Sequence, residues 1–156
     1  MSVKFSFGFS VPKVPRVAHQ VPVDGKYSVF LEDVPSENTL YPTSFKTGMR
    51  FLSAKGKEFK ERATVSFFEA KLPKFPMVPL VVETVAYWRT MRRADISNFN
   101  KPIGDALKSS GHIEDDWILL FRNMDFLYPD DPRRDLTKFP KGLQGFMLTI
   151  YEKEGA

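Results

Sequence analysis

Two groups of carboxylates flank one short predicted helix. The first is Asp95, in the run Asp95-Ile96-Ser97-Asn98-Phe99-Asn100-Lys101; the second is Glu114-Asp115-Asp116, with 116 − 95 = 21 positions between the outer members. Acids at the two ends of a strand-helix-strand unit can converge on a hard divalent cation such as Mg2+, which takes oxygen ligands and keeps several waters. A metal held by few protein ligands suits phosphoryl transfer, because its bound water becomes a better nucleophile and its charge offsets that of the transferring group. Lys101 adds a cation beside Asp95, placed to bind a phosphate or to stabilise charge on a leaving oxygen. Plainer readings stand beside these. Asp95 is also an ordinary helix-start acid, favoured by free backbone N–H groups and the macrodipole; 114–116 is also an acidic turn, and Lys101 a surface lysine.

Composition leaves the chemistry to carboxylates. The chain has no cysteine, which excludes disulfides and thiolate metal sites. His19 and His112 are the only histidines, too few for a histidine-rich zinc site or a histidine-centred triad. The 23 basic and 19 acidic residues give a net charge of +4, a mild lean toward polyanions. At 156 residues, 42% hydrophobic and with 15 Phe, the chain is expected to fold around one core as a single domain. No stretch approaches the roughly 18 to 20 apolar residues needed to span a bilayer, and the N-terminus lacks a signal-peptide core, so a cytosolic protein is expected.

The elements that must position these acids follow from periodicity. Val3, Phe5, Phe7 and Phe9 alternate with small or polar residues, a candidate edge strand. Residues 26–31 read as a strand and 34–38 as a turn; the stretch to about Leu52 has no clear period and reads as a long ordered loop. Ser53 is placed to cap a helix running to about Ala70, with Phe59, Ala63, Phe67 and Ala70 as its apolar stripe. Lys55, Lys57, Lys60 and Arg62 fall off that stripe, either as a solvated face or as a phosphate-contacting one. Pro73, Pro76 and Pro79 then mark an extended connector.

Residues 80–89, nearly continuous in β-branched and aromatic side chains, read as a central strand aimed at Asp95. The following helix is predicted to begin between Ser97 and Asn100, with Ser97 and Asn98 as cap types and Pro102 tolerable in the first turn. It is predicted to stop at Gly111. Phe99, Ile103, Ala106 and Leu107 make its buried face; Asn98, Lys101, Asp105 and Lys108 fall on the opposite, polar face. Residues 117–128 and 144–151 read as strands, and the charged stretch 130–135 as a solvated connection, with contact to a polyanion the alternative.

In chain order, Arg92-Arg93-Ala94-Asp95-Ile96-Ser97-Asn98-Phe99-Asn100-Lys101, Gly104-Asp105-Ala106-Leu107 and Glu114-Asp115-Asp116 resemble the signature of RusA-type Holliday junction resolvases. That family shows an Asp-x-Asp/Ser-Asn-x-x-Lys run, then Asp-Ala-Leu, then an Asp-Asp pair before a strand. Pro35-Ser36-Glu37-Asn38 is similar to the family's Pro-Ser-x-Asn turn, and Ser53 to Lys57 to its Ser-x-x-Gly-Lys helix start. The resemblance covers residues 26–151; residues 1–25 form an N-terminal extension, a candidate added strand, ahead of a nuclease domain at 26–156.

The resemblance implies an α/β (α+β) domain, a small mixed sheet of about four strands against two main helices, working as a homodimer. It implies a structure-selective endodeoxyribonuclease that binds four-way junction DNA, nicks two opposed strands with Mg2+ or Mn2+, and serves DNA recombination and repair in the cytoplasm of a bacterium or its phage. Carried over residue by residue, Asp95 and Asp116 match the essential metal-binding and catalytic acids, Asp115 the neighbouring metal acid, and Lys101 the catalytic lysine. Arg92, Arg93 and Lys101 become the expected DNA contacts, and Asn98 a structural cap.

Two positions depart from the pattern. Ser97 stands where founding members carry a second Asp, and a hydroxyl is a poorer ligand for a hard cation, which leaves Asp105 or Asp115 to compensate. Ala94 stands where a basic residue often precedes the first Asp, with Arg92 and Arg93 displaced upstream. The alternatives are a branched-DNA binding protein with weak or lost catalysis, and a module unrelated to nucleic acid.

Overall fold

The computed structural model describes residues 24–154 and, ahead of them, the backbone of two short strands, β1 (Val3–Lys4) and β2 (Ser10–Val11), which pair antiparallel with each other. Val3 therefore pairs in a separate two-stranded ladder; Phe5, Phe7 and Phe9 lie outside the described residues.

The main sheet has four strands: β3 (Tyr27–Glu32), β4 (Leu80–Tyr87), β5 (Leu119–Leu127) and β6 (Gly145–Glu152), in the order β3-β6-β4-β5. β6 runs antiparallel to both β3 and β4, whereas β4 and β5 are parallel. Parallel neighbours need a crossover connection. Here it is the helical segment 96–109, which leaves the Tyr87 end of β4 after Asp95 and returns to the Leu119 end of β5 past Asp116, so the two acids are linked along the helix, through Lys101, and do not share a strand end. The mixed α+β sheet of a single small domain agrees with the expected fold class, its two main helices included; the described residues add one short helix to them.

Local sequence accounts for the long helices. Ser53 Oγ accepts the Gly56 N–H at 3.0 Å, capping α2 (Ala54–Glu69). The stripe Phe59, Ala63, Phe67 and Ala70 is buried throughout. In α3 (Asn100–Ser109), Pro102 occupies the first turn, and Gly111 ends the helix at φ +83°, a conformation costly for other residues. Phe99, Ile103, Ala106 and Leu107 join Phe59 and Phe67 against one face of the sheet, where Val29, Leu31, Val82, Ala86, Leu148 and Ile150 meet them. On the other face Phe30, Phe139, Tyr87, Leu143 and Met147 make a smaller cluster, with Tyr87 stacked on Phe139 at 3.8 Å.

Three expectations are corrected. Residues 34–38 are not a simple turn: Glu37 and Asn38 open a short helix, α1 (Glu37–Leu40), capped by Ser36, whose Oγ accepts the Thr39 N–H. The segment after Asp116 opens with a 3-10 turn, Asp116–Ile118, before β5 begins. The stretch 130–135 is not simply solvated, because Arg134 is buried. Its guanidinium donates to five backbone carbonyls: Phe139 at 2.9 Å, Trp88 at 2.6 Å, Leu127 at 3.2 Å, Pro140 at 2.6 Å and Leu143 at 3.0 Å. Those carbonyls come from the ends of β4 and β5 and from the crossing to β6, so one side chain fastens three segments.

Gly145 begins β6 under tight constraint. A Cβ there would lie 2.3 Å from the Leu31 carbonyl oxygen and 2.7 Å from Phe30 Cζ. Gly145→Ala is expected to destabilise the domain by about 1 to 3 kcal/mol, as for other overpacked sites, read as a lowered urea midpoint at unchanged slope. An unchanged midpoint would show that β3 and β6 can part at no cost.

Candidate functional site

The site is built where β4 hands over to α3. Strand β4 ends at Tyr87, and the exposed stretch through Arg92 and Arg93 leads to Asp95. Asp95 is itself the cap, a correction to the assignment of Ser97 and Asn98: its carboxylate accepts the Ser97 N–H at 3.0 Å and the Ser97 hydroxyl at 2.6 Å, opening a 3-10 turn Ile96–Phe99 that runs into α3. Both bonds end on Oδ1. The bond from the Ser97 hydroxyl, then that from its backbone, hold the Asp95 carboxyl below the ordinary carboxylate range, so it is ionised at neutral pH. Ser97, the position where a second charge is missing, thus serves the charge that is present.

One turn on, Lys101 reaches across the crossover. Its Nζ donates to Asp105 Oδ1 at 3.0 Å and to Asp116 Oδ2 at 3.4 Å, the second bond spanning 15 positions of sequence. The two segments lie side by side here: a Cβ at Gly104 would sit in ordinary contact, 3.7 Å from that of Asp116. The Lys101 ammonium is raised above the usual lysine range, first by its bond to Asp105 and further by both carboxylates. It is therefore a fixed cation near neutral pH, suited to stabilising anionic oxygen and not to taking a proton.

Asp105 differs from the expected exposed position. It is 9% exposed, and Oδ2 accepts a hydrogen bond from the Tyr41 hydroxyl. Lys60 Nζ in turn donates to Tyr41 Oη at 3.4 Å. Burial, then the Asp105 hydrogen bond, pushes the Tyr41 phenol up to about 12, so it stays protonated and keeps donating. Tyr41 and Asp105 were not assigned roles from sequence as a pair. Their contact spans 64 positions, and the sequence marked Asp105 only as a polar-face residue of α3, part of the Asp-Ala-Leu motif and a candidate compensating acid for Ser97.

The remaining expected residues are arranged less closely. Asp115 caps the 3-10 turn at 116 through the Asp116 N–H at 2.8 Å and pairs with Lys108 at 3.3 Å, so its carboxylate is engaged away from Lys101. Arg92 and Arg93 are exposed and, with Asp95 and Asn98, line an open cavity of about 660 Å3 floored by Trp88 and Phe99. Asn98 caps nothing by its side chain; Asp95 has that role. Among the described residues, no three Asp, Glu or His side chains lie close enough together to hold a metal ion, so Asp95, Asp115 and Asp116 are not gathered into one cage. The donor chemistry nonetheless suits a hard cation. Asp95 is ionised with Oδ2 outside its internal bonds, Asp116 is partly exposed, and Asn100 Oδ1, one position before Lys101, is a buried acceptor with no partner. Mg2+ commonly takes one or two carboxylates and completes its shell with substrate phosphate and water.

The chain matches no protein-family model, and no curated protein matches it.

Proposed function

We propose that the protein is a metal-dependent endonuclease of branched DNA, a member of the RusA-type resolvases, and that Asp95, Lys101 and Asp116 form its catalytic group. The observation that supports this best is the Lys101–Asp116 contact across the crossover. It joins two of the residues that the sequence resemblance singles out, and does so at the end of the helix where the third, Asp95, stands ionised and exposed. In this reading Asp95 and Asp116 hold Mg2+ or Mn2+ together with the substrate phosphate. When bound, the metal supplies an activated water and neutralises charge on the phosphate. Asp105 holds Lys101 in place, the Lys101 ammonium stabilises the departing 3′ or 5′ oxygen, and Arg92 and Arg93 meet the backbone beside the cavity. Two copies of the chain, each acting on one strand, account for paired nicks.

A second reading, branched-DNA binding without cleavage, is favoured by one observation. Lys101 already neutralises Asp105 and Asp116, and the expected second acid is Ser97. Incubating the protein with a labelled four-way junction at graded Mg2+, Mn2+ and salt separates the readings. Paired nicks that vanish in EDTA are expected. Salt-sensitive binding with no cleavage under either cation would favour the second reading, and no salt-sensitive complex would sink both, since phosphate contacts make binding fall with salt.

A further inference from the structure

The loop 42–51 departs from Tyr41, the residue that touches Asp105, and it is ordered by its own bonds. Thr43 and Arg50 form an antiparallel bridge. Ser44 N–H donates to the Met49 carbonyl at 2.8 Å, Gly48 N–H to the Ser44 carbonyl at 2.8 Å, and Ser44 Oγ accepts from the N–H groups of Lys46 and Thr47. Arg50 Nε donates to the Tyr41 carbonyl at 3.0 Å, which ties the base of the loop to the site. On this built turn Phe45 is fully exposed at 108%, and Met49 and Phe51 are exposed at 70% and 49%.

Large apolar side chains held out on an ordered turn lose hydrophobic free energy unless something covers them. The charge around them says what does. Residues 42–57 contain Lys46, Arg50, Lys55 and Lys57 and no acid. The other 23 − 4 = 19 basic residues equal the 19 acids, so this stretch alone matches the net charge of +4. Arg50 is also paired with Glu37 at 3.5 Å, which leaves Lys46, among the described residues, as the unpaired cation next to Phe45. An aromatic ring beside a cation is the chemistry that stacks on nucleobases while the cation follows phosphate.

We infer that Phe45 stacks on a base face left unstacked at the branch point of a DNA junction, with Lys46 on a flanking phosphate, so that loop 42–51 reads strand discontinuity and reports it through Tyr41 to the Asp105–Lys101 pair. This rests on the proposed action on branched DNA. A fully stacked duplex offers no free base face to Phe45, and a junction does. The loop therefore supplies discrimination that phosphate contacts alone cannot.

The test uses the intact protein and a four-way junction carrying 2-aminopurine at the crossover, beside a continuous duplex carrying it at the centre. Wild type is expected to change the junction probe's fluorescence and leave the duplex probe's unchanged. Phe45→Ala is expected to lose that change and bind the junction about tenfold more weakly, with duplex binding within about twofold; Phe45→Tyr is expected to restore both. Junction binding by wild type with the same fluorescence and affinity in Phe45→Ala would overturn this inference and leave the proposed function standing. A Phe45→Ala variant that changes oligomeric state and not the probe signal would overturn it in favour of a contact between copies of the chain. Absence of any salt-sensitive junction complex would overturn both.

Discussion

Asp116→Asn is expected, on the proposed function, to slow junction cleavage by about two to three orders of magnitude while leaving junction binding nearly intact, because loss of a carboxylate proposed to hold the metal would remove several kcal/mol of transition-state stabilisation and each 1.36 kcal/mol is tenfold in rate. The amide keeps the size of the carboxylate and loses its charge. Lys101 then retains Asp105 as its partner at 3.0 Å, so the local geometry has a remaining anchor. Asp116 is 31% exposed in its side chain and its bonds are to Lys101 and its own turn, so the melting temperature is expected to stay within a few degrees of wild type. Lys101→Met makes the complementary case: cleavage falls as the cation at the leaving oxygen is lost, yet metal dependence survives. Cleavage by Asp116→Asn at the wild-type rate would remove Asp116 from the site and with it the main support for the functional reading.

Arg134→Met is expected to cost at least about 4 kcal/mol of stability, a large share of the roughly 5 to 15 kcal/mol that holds a domain of this kind together. The reason is the number of acceptors left behind. Five carbonyls lose their donor, and water cannot replace it where the residue is 5% exposed. The Tyr87 ring, 5.5 Å from the guanidinium carbon, loses a cation over its face as well. Burial lowers the Arg134 pKa below the usual arginine range without making deprotonation accessible, so the side chain is a buried cation held by carbonyl dipoles; the ion pairs among the described residues do not include it. Arg134→Lys is expected to recover only part of the loss, because three donors on a point charge cannot span five acceptors in a plane. Urea unfolding of the three proteins checks the order. An Arg134→Met variant within about 1 kcal/mol of wild type would mean that loop 129–144 repacks freely.

The contrast between these two residues shows what the sequence made legible. Periodicity and capping found α2, β4, α3 and β6, because an apolar stripe, a serine cap, a proline in the first turn and a terminal glycine are all local facts. Lys101 and Asp116 were found from motif and order, and the fold supplies the contact between them. Arg134 was read as one more charge in a polar stretch, since its acceptors lie as far as 46 positions away and are backbone groups with no signature in the residue types. Asp105 misled in the same way. On a helical wheel it belongs with Lys101 and Lys108, and only the arrival of Tyr41 from another part of the chain turns that position inward. Ser97 and Asn98 had the right chemistry for a cap, but Asp95 lies two positions earlier, and the 3-10 turn that follows it shifts the start of the helix.

The strand order carries a consequence for how the molecule comes to be. β6 is the last strand in sequence, and it lies between β3 and β4; Tyr27 pairs with Ile150 across 150 − 27 = 123 positions. Until residues 145–152 arrive, the segment bearing β3, α1 and Tyr41 has no strand partner in the sheet, and the β4-α3-β5 unit has an open edge. Closing so long a loop is entropically slow, and non-local pairing of this kind delays folding. The Asp105–Lys101–Asp116 group belongs entirely to the unit that can assemble early, while Tyr41 and the loop it leads into belong to the part that docks last. Charge at the site is thus set in place before the arm that would sense the substrate, and a chain stalled short of its final strand would hold the first without the second.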